Sequence, residues 1–518
     1  MKLSLRLAFL LFLWILSACN LRGAPAAPPT LVMVTVDPNA SPTSTPFQPA
    51  SGILAPAEAA TLIPSFTPLP PTNTPLPTLA YTATALPSPT SAPSSARTQY
   101  TLYALLDYAG HQLGADETIR YTNQTGITLG ELVLAVEPNL RGGFVLENIM
   151  LDGTALTYDL SGQRLTVYLP QGLAPGAQVT LTMRFRIDIP AKIKEHPYGY
   201  DIDQINLTDW HPFIVPYRDG WILHEPGALG EHLVYEAADF EVNLKTTTSD
   251  VVLAASGLAD PEPNGEWTRY RLSGARTFAI SASDQLLVYD ATAGAAQIRS
   301  YYFPGYETQG AAILNAAVRA VGIYEAKFGA YPYASLSVVQ ADLNDGQEYD
   351  GLVFLATKFY NQYEGSARSN LVAIGVHEIA HQWWFGLVGS DQAMEPWLDE
   401  SLAVYSEAIF YKYIYPNSLD WWWNFRVNYF GPSGYVDTTI YEHPTFRSYV
   451  NAAYLNGANF LEALNYRMGD DAFYAFLQDY ASRYGGSRAT TYDFFAVARQ
   501  HTTADISDLI AAYFRGSY

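Results

Sequence analysis

Cysteine is almost absent from this sequence: Cys19 is the only one among 518 residues. A chain with one cysteine forms no internal disulfide, so disulfides contribute nothing to the stability of any domain. Cysteine thiolates are also the usual fourth ligand of closed structural zinc sites, and none is available beyond residue 19. Stability and any metal chemistry must therefore come from packing and from other side chains.

Positive charge is scarce as well, with 29 Lys and Arg against 50 Asp and Glu and a formal net charge of −21. Nucleic-acid phosphates would be repelled, which argues against a nucleic-acid partner. The chain is 49% hydrophobic and 14% aromatic, with 38 tyrosines, as expected of a globular protein with packed cores. Its length allows two or three domains.

Long hydrophobic runs are also lacking, apart from a short one at the start. Lys2 and Arg6 precede the apolar residues 7–16, which are too few to span a bilayer comfortably and which lead to small residues before Cys19. This order is typical of a signal peptide, predicted here as residues 1–19. Leu16-Ser-Ala-Cys19 also resembles the lipobox of bacterial lipoproteins, in which the cysteine is lipidated. The alternative is an ordinary signal peptide with an incidental cysteine, and both predict export.

Residues 20–96 are dominated by Pro, Thr, Ser and Ala. Such a segment cannot bury enough apolar surface to offset the entropy of ordering, so we predict a disordered tether. Behind a lipid anchor, the tether would hold the folded part away from the membrane. We therefore expect a bacterial cell-envelope protein, lipid-anchored through Cys19, with its folded part outside the cytoplasm.

Strand patterns fill residues 97–294, the predicted β-rich N-terminal domain of sandwich or saddle-like form. Apolar and polar residues alternate from Val179 to Ile187, with the period of two of a half-buried strand. Further short strands are predicted at 165–169, 241–244 and 251–255.

Helical patterns dominate residues 295–518, the predicted catalytic domain. Helices are expected near residues 310–328, 371–385, 397–413, 452–468 and 472–484, with strands at 335–341 and 351–355. Thr490 and Asp493 have the spacing of a helix-capping pair. The whole chain is thus predicted to be multidomain, with an all-β domain followed by a mainly helical α+β domain.

The segment His377-Glu-Ile-Ala-His381 carries the main chemical signal. Two histidines four residues apart lie on the same side of a helix, one turn apart, where both imidazoles can bind one zinc ion. Glu378 lies beside the first histidine, and its carboxylate can reach a water on the metal without ligating the ion. Spacing alone thus predicts a zinc site with an adjacent base.

A third ligand is available in Trp397-Leu-Asp-Glu-Ser-Leu-Ala403, where Glu400 lies on a second amphipathic segment that can face the first. Two histidines and one glutamate leave the fourth position of a single Zn2+ ion open, as catalytic zinc requires. The alternative, a closed structural site, needs a fourth protein ligand. Catalytic zinc is therefore the preferred interpretation.

These two segments, at this interval, resemble the aminopeptidase N family of gluzincin zinc metallopeptidases. The resemblance covers roughly residues 100–518, and it implies a thermolysin-like catalytic domain preceded by a β-domain. It assigns the general base to Glu378 and the third zinc ligand to Glu400. The long C-terminal helical domain of the larger family members has no counterpart here, which weakens the expectation of strict exopeptidase action.

Two further segments extend the resemblance. Asp345-Gly-Gln-Glu-Tyr349 corresponds to the family's exopeptidase motif Gly-Ala-Met-Glu-Asn, so Glu348 would bind the free α-amine of the substrate. The alternative is a turn with an exposed carboxylate. Tyr454-Leu-Asn-Gly-Ala458 resembles the family's Tyr-Glu-Lys-Gly-Ala, whose tyrosine stabilises the oxyanion. Tyr454 is therefore the candidate, with Tyr449 as a weaker one and core packing as the alternative.

Other residues carry weaker signals. Asp391 or Glu395 could hold a zinc-binding histidine in one tautomer, although solvated loop acids are the preferred interpretation. Tryptophans 421–423 could line a substrate pocket but more often pack in a core. We identify no partner for His211 or His443.

Three functions follow from these residues. The first is a zinc aminopeptidase that hydrolyses peptides or proteins from the N-terminus. The second is an endopeptidase or oligopeptidase with the same zinc chemistry, and the third is a catalytically idle surface-binding protein. The expected partners are peptide or protein substrates and the membrane, through the lipid anchor. The sequence does not determine the preferred side chain, the physiological substrate or the oligomeric state.

Overall fold

The protein is described from a computed structural model over residues 97–518. The predicted signal peptide (residues 1–19), the lipidation candidate Cys19 and the predicted tether (residues 20–96) lie outside the described residues. Between residues 97 and 518, no helix has both the length and the apolar character needed to cross a membrane.

Strands make up most of residues 98–302. They are β1 Thr98–Asp107, β2 Gln112–Thr122, β3 Leu129–Ala135, β4 Phe144–Leu151, β5 Thr154–Ala155, β6 Tyr158–Ser161, β7 Arg164–Leu173, β8 Gln178–Asp188, β9 Gly199–Tyr200, β10 Ile205–Leu207, β11 Phe213–Ile214, β12 Ala238–Thr246, β13 Val252–Ala255, β14 Leu258–Ala259, β15 Thr268–Ala275, β16 Ile280–Ser283, β17 Leu287–Ala293 and β18 Ala296–Tyr302. A short helix, α1 Glu137–Arg141, follows β3.

Three sheets are built from β1 to β16. The largest has eight strands in the order β14-β15-β12-β1-β2-β8-β4-β5, and two four-stranded sheets follow the orders β13-β16-β10-β9 and β11-β3-β7-β6. The apolar residues of β8, from Val179 to Ile187, are buried at every second position. The predicted half-buried strand is thus confirmed, because one face of it covers the core while the other meets solvent.

A fourth, five-stranded sheet belongs to the second half of the chain, with the order β17-β18-β19-β21-β20. Its later strands are β19 Ser335–Ala341, β20 Gly346–Tyr349 and β21 Leu352–Ala356. The predicted domain boundary at residue 294 falls in the turn of the β17–β18 hairpin, so this hairpin joins the sheet of the second half. β20, which contains Glu348, is an edge strand.

Helices surround that sheet. They are α2 Glu307–Phe328, α3 Thr357–Asn361, α4 Asn370–Ala380, α5 Trp397–Ile414, α6 Leu419–Trp422, α7 Phe446–Tyr449, α8 Gly457–Met468, α9 Asp470–Tyr484, α10 Thr491–Ala498 and α11 Ser507–Tyr513. Residues Trp423–Val427 and Val450–Asn456 form π-helical turns, and Pro416–Ser418 and Asn428–Phe430 form 3-10 turns. Two short strands, β22 Val388–Gly389 and β23 Ser487–Arg488, pair in parallel. Thr490 and Asp493 form the predicted capping box of α10.

The predicted helix at residues 371–385 is too long by five residues. α4 begins after Ser369, whose side chain accepts a hydrogen bond from the backbone of Val372, and it ends at Ala380. The carbonyls of Phe385 and Gly386 instead accept hydrogen bonds from the side chain of Arg276, and Phe385 adopts φ 150°. Because φ 150° is not helical, the helix cannot extend through Phe385, and local periodicity does not reveal the contact from the β-rich half that holds this segment.

Candidate metal centre and active site

Two histidines of α4 and one glutamate of α5 converge on one point. The Nε2 atoms of His377 and His381 lie 3.2 Å apart. Oε2 of Glu400 lies 3.4 Å from Nε2 of His377 and 3.7 Å from Nε2 of His381. All three side chains are buried, and the structure brings them together as the sequence predicted.

This donor set fits a zinc ion. Among the described residues, the buried Oε2 atom of Glu400 has no hydrogen-bond partner. A buried carboxylate oxygen without a partner is costly unless a cation occupies the space it faces. Two imidazole nitrogens and one carboxylate oxygen are the protein ligands of catalytic zinc, with a further position left for water or substrate.

A carboxylate contacts the Nδ1 atom of each histidine, the ring nitrogen that does not face the common point. Nδ1 of His377 lies 3.0 Å from Oε1 of Glu407, and Nδ1 of His381 lies 2.5 Å from Oδ1 of Asp399. With the ring proton shared at Nδ1, the lone pair of each Nε2 atom faces the common point. The imidazoles are therefore fixed in the tautomer that binds a metal.

Glu407 is itself tightly held. Its Oε2 atom accepts hydrogen bonds of 2.8 Å from Trp422 Nε1 and from Arg426 Nε, and its Oε1 atom pairs with the other arm of Arg426. Burial alone would raise the pKa of Glu407, but Arg426 and His377 together lower it below the ordinary value. Glu407 therefore stays an anion.

The tryptophan run does not line a substrate pocket. Trp422 packs in the core beside Glu407, and tryptophans 421–423 are not among the described residues that line the cavity.

Asp391 and Glu395 do not play the role considered for them. Asp391 pairs with His224 at 2.9 Å, and Glu395 accepts a hydrogen bond from the backbone of Thr491. The sequence contained signals for the true partners: Asp399 precedes Glu400, and Glu407 lies two helical turns after Glu400, on the same face.

Glu378 projects from α4 into the same cavity. A Cβ atom on Gly346 would collide with its Oε1 atom, so only glycine lets strand β20 pass this close to the carboxylate. Burial raises the pKa of Glu378, and the two neighbouring histidines act in the opposite direction. The carboxylate is thus placed to accept a proton beside the metal position.

Tyr454 lies on the π-helical turn that precedes α8. Its hydroxyl donates a hydrogen bond of 2.5 Å to Oε1 of Glu400, and its ring lies parallel to that of His377 at 6.3 Å. Tyr454 lines the cavity, whereas Tyr449 packs edge-on against it at 5.4 Å without being one of the described lining residues. Of the two candidates, Tyr454 alone faces the open space.

Two glutamates meet beside the metal position. Glu348, on the edge strand β20, is buried and accepts a hydrogen bond of 2.9 Å from Gln347. Glu231 enters from the β-rich half, and carboxylate oxygens of Glu231, Glu348 and Glu400 lie within 4.8 Å of one another. Burial raises the pKa of both Glu231 and Glu348. Glu231 was not predicted, because nothing in its own segment marks it and its partner lies more than a hundred residues away.

Hydrogen bonds join strand β20 to the metal helix. The side-chain amide of Gln382, next to His381, donates to the carbonyl of Tyr349 at 3.0 Å and accepts from the backbone of Gly351 at 2.7 Å. Asp350, between these residues, accepts hydrogen bonds from the backbone of Arg276 and Thr277. The position of Glu348 relative to the two histidines is therefore set jointly by both halves of the chain.

One cavity of about 960 Å³ lies between the two halves, and its lining includes His377, His381, Glu400, Glu378, Tyr454, Glu348 and Glu231.

The two histidines without a predicted partner lie elsewhere, and each has one. His211 pairs with Glu117 at 2.9 Å inside the β-rich half, and His443 contacts the hydroxyl of Thr438 at 2.7 Å. The expectation of no partner is wrong for both, and both contacts are structural.

Comparisons with known sequences place this site in context. A profile described as the peptidase family M1 domain matches residues 313–513. The chain is 25% identical to aminopeptidase M1-D of Oryza sativa subsp. japonica over 235 residues, 42% of this chain and 27% of that protein. It is 23% identical to probable aminopeptidase 2 of Sulfurisphaera tokodaii over 224 residues, 40% of this chain and 28% of that protein. The matched regions span only about a quarter of the length of these relatives.

Solved structures resemble the fold over most of its length. The crystal structure of an M1 zinc metallopeptidase from Deinococcus radiodurans matches with a TM-score of 0.61 and 20% identity, covering 82% of this chain and 95% of that chain. A mutant of that enzyme bound to a Tyr-Ser-Ala substrate matches with a TM-score of 0.60 and 19% identity, with the same coverage. This likeness confirms the predicted order of a sheet-rich part followed by a mainly helical part.

Proposed function

We propose that the chain is a zinc-dependent metallopeptidase that releases residues from the N-terminus of peptides, since residues 313–513 match the profile of the peptidase family M1 domain. The observation that carries the proposal is one cavity that contains the triad His377, His381 and Glu400, the carboxylate of Glu378 beside it, and the neighbouring carboxylates of Glu231 and Glu348. The name aminopeptidase, borne by the rice and Sulfurisphaera relatives, supports the same activity.

The metal would be held by His377, His381 and Glu400. Zinc, when bound, polarises the scissile carbonyl and lowers the pKa of the attacking water. Glu378 takes the proton of that water and delivers it to the leaving amine, as its position on α4 beside both histidines allows. The hydroxyl of Tyr454 donates a hydrogen bond to the carbonyl oxygen as negative charge develops on it.

The choice of the N-terminal peptide bond rests on Glu348 and Glu231. Their carboxylates lie close to Glu400, so a free α-amine can bind them while the first carbonyl reaches the metal. Because β20 is an edge strand, an extended peptide can pair with it on the side that faces away from β21. This arrangement favours substrates with an unblocked N-terminus.

Two measurements test the proposal. Glu378→Gln should abolish turnover while zinc remains bound. Glu395→Gln, in a loop outside the cavity, is the control and should retain activity. An active Glu378→Gln enzyme would contradict the mechanism.

A free-amine peptide should be cleaved far faster than its N-acetylated twin. Equal rates for the two would instead favour an endopeptidase, and a zinc-loaded protein inactive on a broad peptide library would favour a binding protein.

For the location of the protein, we propose export and lipid anchoring through Cys19 in a bacterial cell envelope. The support is the sequence of residues 1–19, with its basic start, its apolar run and Leu16-Ser-Ala-Cys19. The wild-type chain should incorporate radiolabelled palmitate and fractionate with membranes. Cys19→Ala should lose the label and leave the membrane fraction, and a labelled Cys19→Ala chain would refute the assignment.

A further inference from the structure

The cavity is also lined by residues of the β-rich half other than Glu231. Its lining includes a set of residues that we call the acidic recess. These residues are Glu137, Arg141, Tyr198, Asp209 and His232. His232 directly follows Glu231 in sequence, so the recess begins beside the position proposed for the substrate amine.

Negative charge dominates the whole cavity. In the described part of the chain, eight carboxylates line it against three arginine or lysine side chains. Two of those three cations are paired with acids that do not line the cavity, since Arg426 pairs with Glu407 and Lys194 with Asp342. A zinc ion and one substrate amine together bring three positive charges, which still leaves carboxylates in excess. A cavity of this kind favours a ligand that carries one more positive charge.

Glu137 supplies a specific acceptor for that charge. Its side chain is only 4% exposed, and its Oε1 atom is engaged by Arg141 at 3.2 Å. Its buried Oε2 atom has no hydrogen-bond partner among the described residues. Nε2 of His232 lies 3.5 Å from it and 3.1 Å from Oε1 of Gln163. A buried carboxylate oxygen that lines a cavity and lacks a donor indicates a ligand group that donates.

Two neighbours complete the acceptor set. The hydroxyl of Tyr198, whose side chain is also almost fully buried, likewise has no hydrogen-bond partner within residues 97–518. Asp209 accepts a hydrogen bond of 2.7 Å from Tyr235 through Oδ1 and adds a second carboxylate to the recess. Arg141 is the one arginine or lysine of the recess and pairs with Glu137, so Asp209 has no arginine or lysine partner there.

We propose that the acidic recess receives the cationic side chain of an N-terminal lysine or arginine, with Glu137 and Asp209 as the carboxylates that recognise it. The inference rests on the proposed function, since it takes the α-amine to be held by Glu231 and Glu348. With the amine there and the peptide continuing along β20, the first side chain points into the recess. The preferred substrates are peptides with a basic first residue.

The test compares Lys-Ala-Ala with norleucine-Ala-Ala. The side chain of norleucine has the same alkyl length as that of lysine but lacks the terminal ammonium group, and the α-amine is the same in both peptides. We expect kcat/KM to be at least about tenfold higher for the lysine peptide, and Glu-Ala-Ala to be the poorest of the three. The preference should shrink in 1 M salt, which screens charge interactions. A norleucine peptide that is cleaved as well as the lysine peptide would overturn the proposal.

Variants assign the preference to the recess. Glu137→Gln and Asp209→Asn should each lower the lysine-to-norleucine ratio about tenfold, whereas Glu147→Gln, an exposed glutamate of the same half, should leave it unchanged. A ratio that stays constant in both recess variants would contradict the assignment. Thermal unfolding of each variant shows whether it is folded.

A binding measurement separates recognition from turnover. Calorimetry on the zinc-loaded Glu378→Gln protein should give tighter binding of the lysine peptide than of the norleucine peptide, with the difference lost in the Glu137→Gln background. Equal affinities would overturn the recess proposal. The N-acetylated peptides test the amine-binding pair independently, so failure of the proposed function and failure of this inference give different results.

Discussion

The hydroxyl of Tyr454 donates a hydrogen bond to Oε1 of Glu400, the proposed third zinc ligand, at 2.5 Å. The tyrosine therefore borders the metal position, and it also lines the open cavity. A hydroxyl at this point can stabilise the oxyanion formed from the substrate carbonyl, or it can orient Glu400 toward the metal. The two roles have different experimental consequences.

Tyr454→Phe distinguishes them. If the hydroxyl stabilises the oxyanion, kcat should fall about 10²- to 10³-fold, with KM and zinc content little changed. Tyr405→Phe is a matched control, since that buried tyrosine bonds to Glu462, not to Glu400. Steady-state kinetics and metal analysis of the purified proteins distinguish the two roles. A variant whose fall in turnover follows a loss of bound zinc would assign Tyr454 to ligand orientation.

Asp399→Asn and Glu407→Gln should each weaken zinc binding about 10- to 100-fold, because the carboxylates fix the tautomers of His381 and His377. Competition with a fluorescent zinc chelator measures the change. Asp391→Asn is the control, because Asp391 pairs with His224 away from the metal position. Unchanged zinc affinity in both carboxylate variants would refute this role.

Arg276→Met should lower the free energy of unfolding by about 3 kcal/mol or more, since it leaves buried carbonyls of both halves without a donor. Those carbonyls belong to Tyr235 and Phe385, at 3.0 and 2.6 Å from the guanidinium nitrogens, and part-buried contacts to Leu387 and Ser487 would be lost as well. Arg271→Met, which removes an exposed arginine nearby, should cost about 1 kcal/mol or less. Urea unfolding followed by tryptophan fluorescence compares the two, and equal losses would contradict the expectation.

Asp209→Asn should change how stability depends on pH. Burial raises the pKa of Asp209 to about 6. Between pH 4 and pH 6 the folded chain therefore binds a proton that the unfolded chain has released, so the wild type loses stability as the pH rises. Asparagine does not ionise, and the variant should gain about 1 to 2 kcal/mol on the wild type between pH 4 and pH 7, allowing for partial exposure of the carboxylate.

Urea unfolding at both pH values measures this difference for Asp209→Asn. Asp219→Asn is the control, because Asp219 has the same left-handed backbone, with φ 56° against 48°, but an exposed side chain. A constant difference between Asp209→Asn and wild type across this range would show that burial does not perturb the carboxylate. If Asp209→Asn raises the free energy of unfolding and also lowers the lysine-to-norleucine ratio, then Asp209 contributes to substrate binding while it lowers the stability of the fold.

Local sequence patterns were enough for several features. The four-residue spacing of His377 and His381 predicts a shared helix face, alternation predicts β8, and Thr490 with Asp493 predicts a helix start. Each depends on residues within a few positions of one another, where the geometry of a helix or strand decides the outcome.

Contacts between distant segments were not predictable in this way. Arg276 donates hydrogen bonds to the carbonyls of Phe385 and Gly386, just after α4, across more than a hundred residues. Glu231 reaches Glu348 from the other half of the chain, and neither segment has a periodicity that indicates the other. Local propensity carries no information about such pairs, because they form only when the two halves pack.

The sequence by itself thus determined the kind of chemistry: a helix with two imidazoles and a base, a third carboxylate ligand, and a β-rich part before a helical part. Only the tertiary structure decided which carboxylates hold the histidines, where the metal helix ends, and that the β-rich half supplies Glu231, Glu137 and Asp209 to the cavity. The reason is physical, since helix and strand periodicity act over a few residues, whereas the charge and shape of a cavity arise from the packing of segments far apart in sequence.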